Sequence, residues 1–240
     1  MRHRLIVSLA IAIALSGAQQ APAVGEGPGT GTIAGRITFD GTPPPPASVG
    51  QDGGSQPVLY VNRSGGLRYA VVFLPDARAG ADAPAAVATM NQRNFVFEPQ
   101  VMAVRGGQPV RFTNGDPANH NVRAPGSHPA NSFSINTAAG PVDPHSRRFA
   151  PTPPDRPLEL SCDIHPWMAA WIYVFDHDRF TVTEADGSFR IADVPSGRHR
   201  IAVRQPSGRL ARDVAVDVHP GETARLDVRF TPADAGMPSR

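Results

Sequence analysis

The chain reads as an all-β protein, and three observations in its 240 residues say so. The 23 Gly and 26 Pro follow no repeat period, which punctuates the chain too often for long helices. Short runs alternate apolar with polar residues, the period of a half-buried strand. In the C-terminal quarter such runs recur about every 8–12 residues between turn signals, the spacing of a small sandwich.

The elements follow in order. Residues 24–31 are Gly-rich. Residues 32–39 alternate, with Ile33, Gly35, Ile37 and Phe39 on one face, and predict a first strand. Asp40-Gly41 and residues 43–46, all Pro, make a turn and linker. The continuous apolar run 69–74 predicts a second strand, and the Ala-rich stretch 77–88 a boundary. From Thr89 the pattern is β again, with strands at 95–97, 101–104, 110–112, 158–162 and 171–175. Residues 114–157 are rich in Pro, Asn and Ser with few apolar anchors beyond Phe133, Ile135 and Phe149, and read as a long loop. After Asp176 come strands at 180–183, 189–191, 200–204, 214–218 and 224–230, with Asp186-Gly187 as a hairpin turn. Residues 231–240 read as a flexible tail.

The N-terminus has the form of a secretory signal, residues 1–23. Arg2, His3 and Arg4 precede an apolar run, 5–15, far short of the ~20 residues that span a bilayer. Cleavage fits after Ala18 or Ala23; the alternative is an uncleaved anchor. Without Arg2 and Arg4, the 23 basic residues become 21 against 21 acidic ones, so net charge gives no pointer to nucleic acid. The mature form is expected to carry no membrane span. All the basic residues are Arg. The single Cys has no internal disulfide partner, and in an oxidising compartment a metal ligand is one good reason to keep it.

The densest chemistry is Cys162-Asp163-Ile164-His165-Pro166-Trp167-Met168. A thiolate, an imidazole and a thioether fall within seven residues. Soft sulfur with imidazole suits copper in both oxidation states better than a hard cation. A second imidazole is available from His120, in Asn119-His120-Asn121-Val122. Two His and a Cys with a weak axial Met form the blue-copper ligand set. Zinc accepts Cys and His but rarely a thioether. The bland alternative is that Cys162 and His165 are adjacent core residues.

Residues 95–174 resemble the plastocyanin–amicyanin group of cupredoxins. The resemblance rests on Phe97-x-Pro99, Val101, Gly106 or Gly107, Val110-x-Phe112-x-Asn114-x-Asp116, His120-Asn121-Val122 and Cys162-x-x-His165-x-x-Met168. It covers roughly a third of the chain, and the short His-to-Met spacing looks like amicyanin, with text similar to methylamine-utilisation-like periplasmic proteins. It implies a Greek-key β-barrel at 88–176 holding one copper on His120, Cys162, His165 and Met168. It implies that Asn121 ties the two ligand loops together, its backbone N–H on the Cys162 sulfur. The family usually has a small hydroxyl residue after the Cys. Asp163 stands there, which puts the side-chain link to Asn121 in doubt and would lower the reduction potential. The edge of His165 would be the electron exit, with Pro166 and Trp167 as the partner-docking patch; core packing is the alternative for Trp167.

The C-terminal stretch resembles a carboxypeptidase-regulatory-like β-sandwich, on Asp186-Gly187-x-Phe189-x-Ile191, Val194-Pro195-x-Gly197, Ile201-x-Val203 and Gly221-Glu222-Thr223-x-x-Leu226-x-Val228. That family's first strands would be those before residue 80. The expectation is one discontinuous sandwich, 31–80 with 177–230, carrying the copper unit as an insertion; the alternative is an independent C-terminal domain. The sandwich would scaffold, or touch a glycan or protein.

Electron transfer between periplasmic or secreted redox proteins is the leading function. An enzyme is not expected: a multicopper oxidase needs His-x-His pairs, a dinuclear entry centre needs two Cys, and no Gly-x-Ser-x-Gly or His-Glu-x-x-His occurs. The alternative is a copper-binding or delivery protein, or an envelope binding module, without redox cycling. His128 and His145 read as surface residues or an adventitious second metal site, and His177, His199 and His219 as solvent-face residues.

Overall fold

The computed structural model describes residues 29–50, 54–80, 86–126, 128–140 and 144–236. The expected secretory signal, 1–23, lies outside them. The described chain is all-β. Its strands are β1 (Thr30–Phe39), β2 (Ala47–Val49), β3 (Gly54–Gln56) and β4 (Val71–Phe73), then β5 (Ala88–Arg93), β6 (Val96–Glu98), β7 (Val101–Arg105), β8 (Pro109–Asn114) and β9 (His120–Pro125). There follow β10 (Ser132–Thr137), β11 (His145–Arg148), β12 (Leu158–Ser161), β13 (Ala169–Phe175), β14 (Phe180–Val182), β15 (Ser188–Pro195), β16 (Gly197–Gln205), β17 (Leu210–Val218), β18 (Thr223–Arg225) and β19 (Val228–Phe230).

Strand β1 is antiparallel to β15 and parallel to β18 and β19. Its alternating residues Ile33, Ile37 and Phe39 are buried with Ile191, Val203, Val228 and Phe230 in one apolar core. Gly35 lets Leu226 cross close to β1: a β-carbon on Gly35 would lie 1.8 Å from the Leu226 carbonyl oxygen. The facing sheet runs β14-β4-β16-β17. β1 and β4, before residue 80, thus pair with strands after residue 177, while β2 and β3 pair with each other.

The strands between pair among themselves, as β10-β9-β12-β13-β7 and β11-β8-β5-β6, around a second core that includes Met90, Phe112, Leu160 and Ile172. Three of them, β9 to β11, and a 3-10 turn at Pro129–Asn131 occupy the stretch read as a loop. That reading is corrected. β11 is exposed at every residue, so it has no apolar alternation to announce it; β-ladder hydrogen bonds to β8 hold it.

β4 and β13 are apolar without a break because each is buried on both faces. Val72 faces the first core, while Val71 and Phe73 join Val101, Tyr173 and Phe175 in a third cluster between the two units. Ala170, Ile172 and Val174 of β13 face the second core. Two readings need correction beside this seam and at the end of the chain. His177, expected on a solvent face, is 3% exposed and packed against Phe175 and Phe180. Residues 231–236, placed in a flexible tail, form a 3-10 helix at Pro232–Ala235, in which the Asp234 carboxylate accepts from the Thr231 N–H (2.7 Å) and pairs with Arg212 (2.5 Å).

Candidate metal centre

Three neighbouring strands deliver the site. His120 opens β9, Cys162 directly follows β12, and His165 lies in the loop that Met168 closes just before β13. β9, β12 and β13 are adjacent in one sheet, so these residues emerge together at one end. The Met168 N–H donates to the His165 carbonyl (2.9 Å), which makes the ligand loop a tight turn.

The structure brings His120, Cys162 and His165 together, with one donor atom of each within 4.8 Å of the others. The two Nδ1 atoms are 2.9 Å apart, and Cys162 Sγ lies 4.0 Å from His120 Nδ1 and 3.8 Å from His165 Nδ1. Every separation is shorter than the ~4.3 Å spanned by a metal–sulfur plus a metal–nitrogen bond, so one ion reaches all three. Met168 is fully buried in the same apolar cluster as Cys162. His120 is 1% and Cys162 2% exposed, so a bound ion there is screened from water. The donor set therefore fits a soft, imidazole-binding metal such as copper.

The ring tautomer of His120 is set from behind. Its Nε2 faces Asp116 Oδ2 at 2.9 Å, so this nitrogen carries the proton and Nδ1 keeps its lone pair for a metal. Asp116 is buried, and its carboxylate also accepts the backbone N–H groups of Asn94 (2.6 Å) and Phe95 (3.0 Å). Those two residues sit at φ +55° and +60°, the left-handed region, which costs a bulky residue about 1–3 kcal/mol unless the surroundings enforce it. The turn turns the Phe95 ring edge-on to His120 (5.5 Å) and His165 (5.1 Å). The sequence motif contains Asp116 but assigns it no role, and the apolar pattern places Phe95 in a strand; Asn-Phe before an apolar run carries no sign of the turn.

Asn121 joins the two ligand loops. Its Oδ1 accepts the Asp163 N–H (2.7 Å), and its Nδ2 donates to Asp163 Oδ2 (2.8 Å). The doubt raised by Asp163 is resolved: a carboxylate oxygen accepts where a hydroxyl would. The expected Asn121 N–H to Cys162 sulfur bond is not among the hydrogen bonds of the described residues. Arg123 pairs with Asp163 at 3.6 Å, both about half-exposed. Behind β9, buried Gln92 donates to the Asn121 carbonyl (3.2 Å) and accepts from Thr137 Oγ1 (2.5 Å).

His165 is half-buried, Pro166 exposed, Ile164 53% exposed and Trp167 half-buried. Burial first, then the neighbouring His120, holds the His165 pKa below its ordinary value, against an opposing pull from Asp116, so the neutral ligand form is favoured. The Trp167 ring packs at 5.2 Å from His165, and its Nε1 donates to the Phe95 carbonyl (3.2 Å). His128 caps the 3-10 turn and His145 Nε2 meets the Asn136 carbonyl, both on the surface; neither joins a metal cluster among the described residues.

The chain is structurally similar to a purple cupredoxin from Nitrosopumilus maritimus, at 18% identity and TM-score 0.30, over 37% of this chain and 99% of that one. An amicyanin from Paracoccus versutus is similar at 17% identity and TM-score 0.30, over 43% and 97%. A copper-containing nitrite reductase from Thermus scotoductus aligns at 17% identity and TM-score 0.32, over 58% of this chain and 28% of that one. No protein-family model and no curated protein matches the chain. What the centre does is argued below from its own donor atoms.

Proposed function

We propose that the protein is a type 1 (blue) copper protein that carries single electrons between redox partners. The observation that supports this most is the convergence of two Nδ1 atoms and one buried thiol within 4.8 Å, at one end of a rigid sheet. Met168, buried beside them, would be the weak axial ligand. Copper would supply the one-electron couple. The protein's part is to hold the donors fixed: Asp116 orients His120, and Asn121 and Asp163 lock the two ligand loops. Little then has to move on electron transfer.

The electron would leave through His165, the only one of the three clustered donors not fully buried. Exposed Ile164 and Pro166 beside it form a small, apolar docking surface, of the size class used by transient redox encounters with a protein partner. The basic N-terminal residues and short apolar run support export to the periplasm or beyond, and no helix among the described residues is long and apolar enough to cross a membrane. The pairing of β1 and β4 with strands after residue 177 supports a copper unit inserted into one sandwich, which scaffolds it.

The deciding experiment is a Cu(II) titration of the full chain followed by visible spectroscopy, with Cys162→Ala as control. An intense thiolate-to-copper band near stoichiometric copper, absent in the variant, is the expected result. A colourless protein, or a coloured centre that gives up copper readily and does not cycle with a one-electron reductant, would replace electron transfer with copper binding or delivery.

A further inference from the structure

Beside His165, lined by neither Ile164 nor Pro166, lies a cleft of about 960 Å³ that electron transfer through that apolar surface leaves unused. One wall is the β2–β3 hairpin, which reaches across from the first unit. The hairpin backbone comes close to the indole: a β-carbon on Gly50 would sit 3.5 Å from Trp167. The other wall is Phe95 and Trp167, fixed to each other by the indole N–H on the Phe95 carbonyl. Tyr60 and His165 complete a lining that holds four rings, of which Phe95, His165 and Trp167 are in mutual contact through His165. The hairpin thus turns what would be an open patch into a concave site, in the about 300–1,000 Å³ range of small-molecule sites.

Charge narrows the occupant. The chain has 23 basic side chains, yet none is among the described lining residues. The one carboxylate there, Asp116, already accepts from Asn94, Phe95 and His120. Among the described lining residues an anion would find no cation and one carboxylate, and the Arg68 charge that reaches Tyr60 is opposed there by Glu98; an uncharged or cationic molecule meets neither cost. Ser55, Gln56 and Asn94 at the rim offer neutral donors and acceptors for a hydroxyl or amine.

We propose that this cleft binds an uncharged or cationic aromatic small molecule, stacked among Tyr60, Phe95 and Trp167 against the edge of His165. Aromatic rings in such a cage gain from offset and edge contacts, and a cation gains further from the ring faces. The role of the ligand as an electron partner rests on the copper reading. Its binding does not, because the cleft walls are built without the metal.

The test is calorimetric titration of the full, metal-free chain with hydroquinone (neutral), tyramine (cationic), 4-hydroxybenzoate (anionic) and cyclohexanol (ring-shaped, not aromatic). Hydroquinone and tyramine are expected to bind one per chain, about tenfold or more tighter than the other two. Ser55→Trp, which fills the cleft from the hairpin, should weaken both by a similar factor. Gln56→Arg should reverse the charge preference, admitting 4-hydroxybenzoate and rejecting tyramine. Absence of binding by every aromatic, an anion bound as tightly as the neutral ring, or unchanged selectivity in Gln56→Arg would overturn the proposal. Failure of the copper reading shows separately, as a colourless Cu(II) titration.

Discussion

The two cores of this molecule differ in how their buried polar groups are placed: a few at the margin of the first, a connected cluster beside the candidate metal donors in the second. The core around β1, β15 and β19 is apolar from Ile33 and Ile37 to Phe230, and the buried polar side chains at its margin, Thr183 and Gln205, bond to neighbouring backbone. The core around β9 and β12 is apolar at its centre, but its edge near the ligands holds buried Gln92, Asp116, His120, Asn121 and Thr137. Each of these polar groups has a partner: Gln92 with Thr137 and Asn121, Asp116 with His120, Asn121 with Asp163. A buried polar group is tolerated only when so bonded, and a satisfied network fixes positions that apolar packing alone leaves adjustable. The first core supplies stability; the second gives up part of that for fixed donor atoms.

The contrast can be broken by truncation. Phe230 is fully buried in the first core, and Phe230→Ala should cost ~3–5 kcal/mol. The melting temperature should fall while the copper spectrum of the folded protein stays the same. Leu160 is equally buried, two residues before Cys162, and Leu160→Ala should cost a similar ~2–5 kcal/mol. There the visible band should shift as well. If both variants moved the spectrum, the two cores would be energetically one.

A gentler change sharpens it. Asp116→Asn keeps the shape but removes the carboxylate that sets the His120 tautomer. Loss of such an outer partner typically weakens metal affinity about 10–100-fold. Competition with a copper chelator measures this directly, and an affinity within twofold of the parent would reduce Asp116 to a cap for the Asn94–Phe95 turn. Smaller still is the effect expected from Asp163→Ser. Removing the carboxylate should raise the reduction potential, but only modestly, since Arg123 stands 3.6 Å away and both side chains are about half in water. A serine hydroxyl can still accept from Asn121. Voltammetry showing an unchanged or lower potential would dismiss the charge effect.

How far the sequence spoke follows from the same contrast. His120, Cys162 and His165 were legible because the chemistry is compressed: one Cys in the chain, with a His three residues on and a Met six on. The first core was legible because its strands alternate, as in Ile33, Ile37 and Phe39. The orientation of the site was not. Asp116 meets His120 directly, but the backbone N–H groups that hold its carboxylate come from Asn94 and Phe95, more than twenty residues away in sequence. The β2–β3 hairpin has one half-buried residue per strand and so no periodicity, yet it forms the wall opposite Trp167. Asn121 and Asp163 are both legible in sequence, but the small hydroxyl residue usual at the second position hides that a carboxylate accepts the same bond.

The least effect is expected where the two units meet. His177 is buried at the seam, 5.2 Å from the Phe175 ring, and its Nδ1 accepts the Arg179 N–H at 3.1 Å. Burial holds its pKa below the ordinary 6.5; Arg105 and Arg179 push the same way, and Asp176 and Asp178 oppose. The folded state therefore favours the neutral ring, and the unfolded chain takes up a proton first as pH falls. Its contribution is complete above the unfolded value of 6.5, is lost as pH drops below that, and levels off only beneath the folded pKa. In the metal-free protein His165 adds a slope of the same sign, because its pKa is lowered too. Bound copper would hold His165 deprotonated in the folded state and so steepen its share of the slope rather than remove it. In the metal-free protein between about pH 7 and 5, the slope that remains beside the share of His165 reports the seam. His177→Asn, whose amide oxygen can still accept from Arg179, should flatten that remaining slope. An unchanged slope would mean that the ring is already exposed before either core melts, because the two units come apart first.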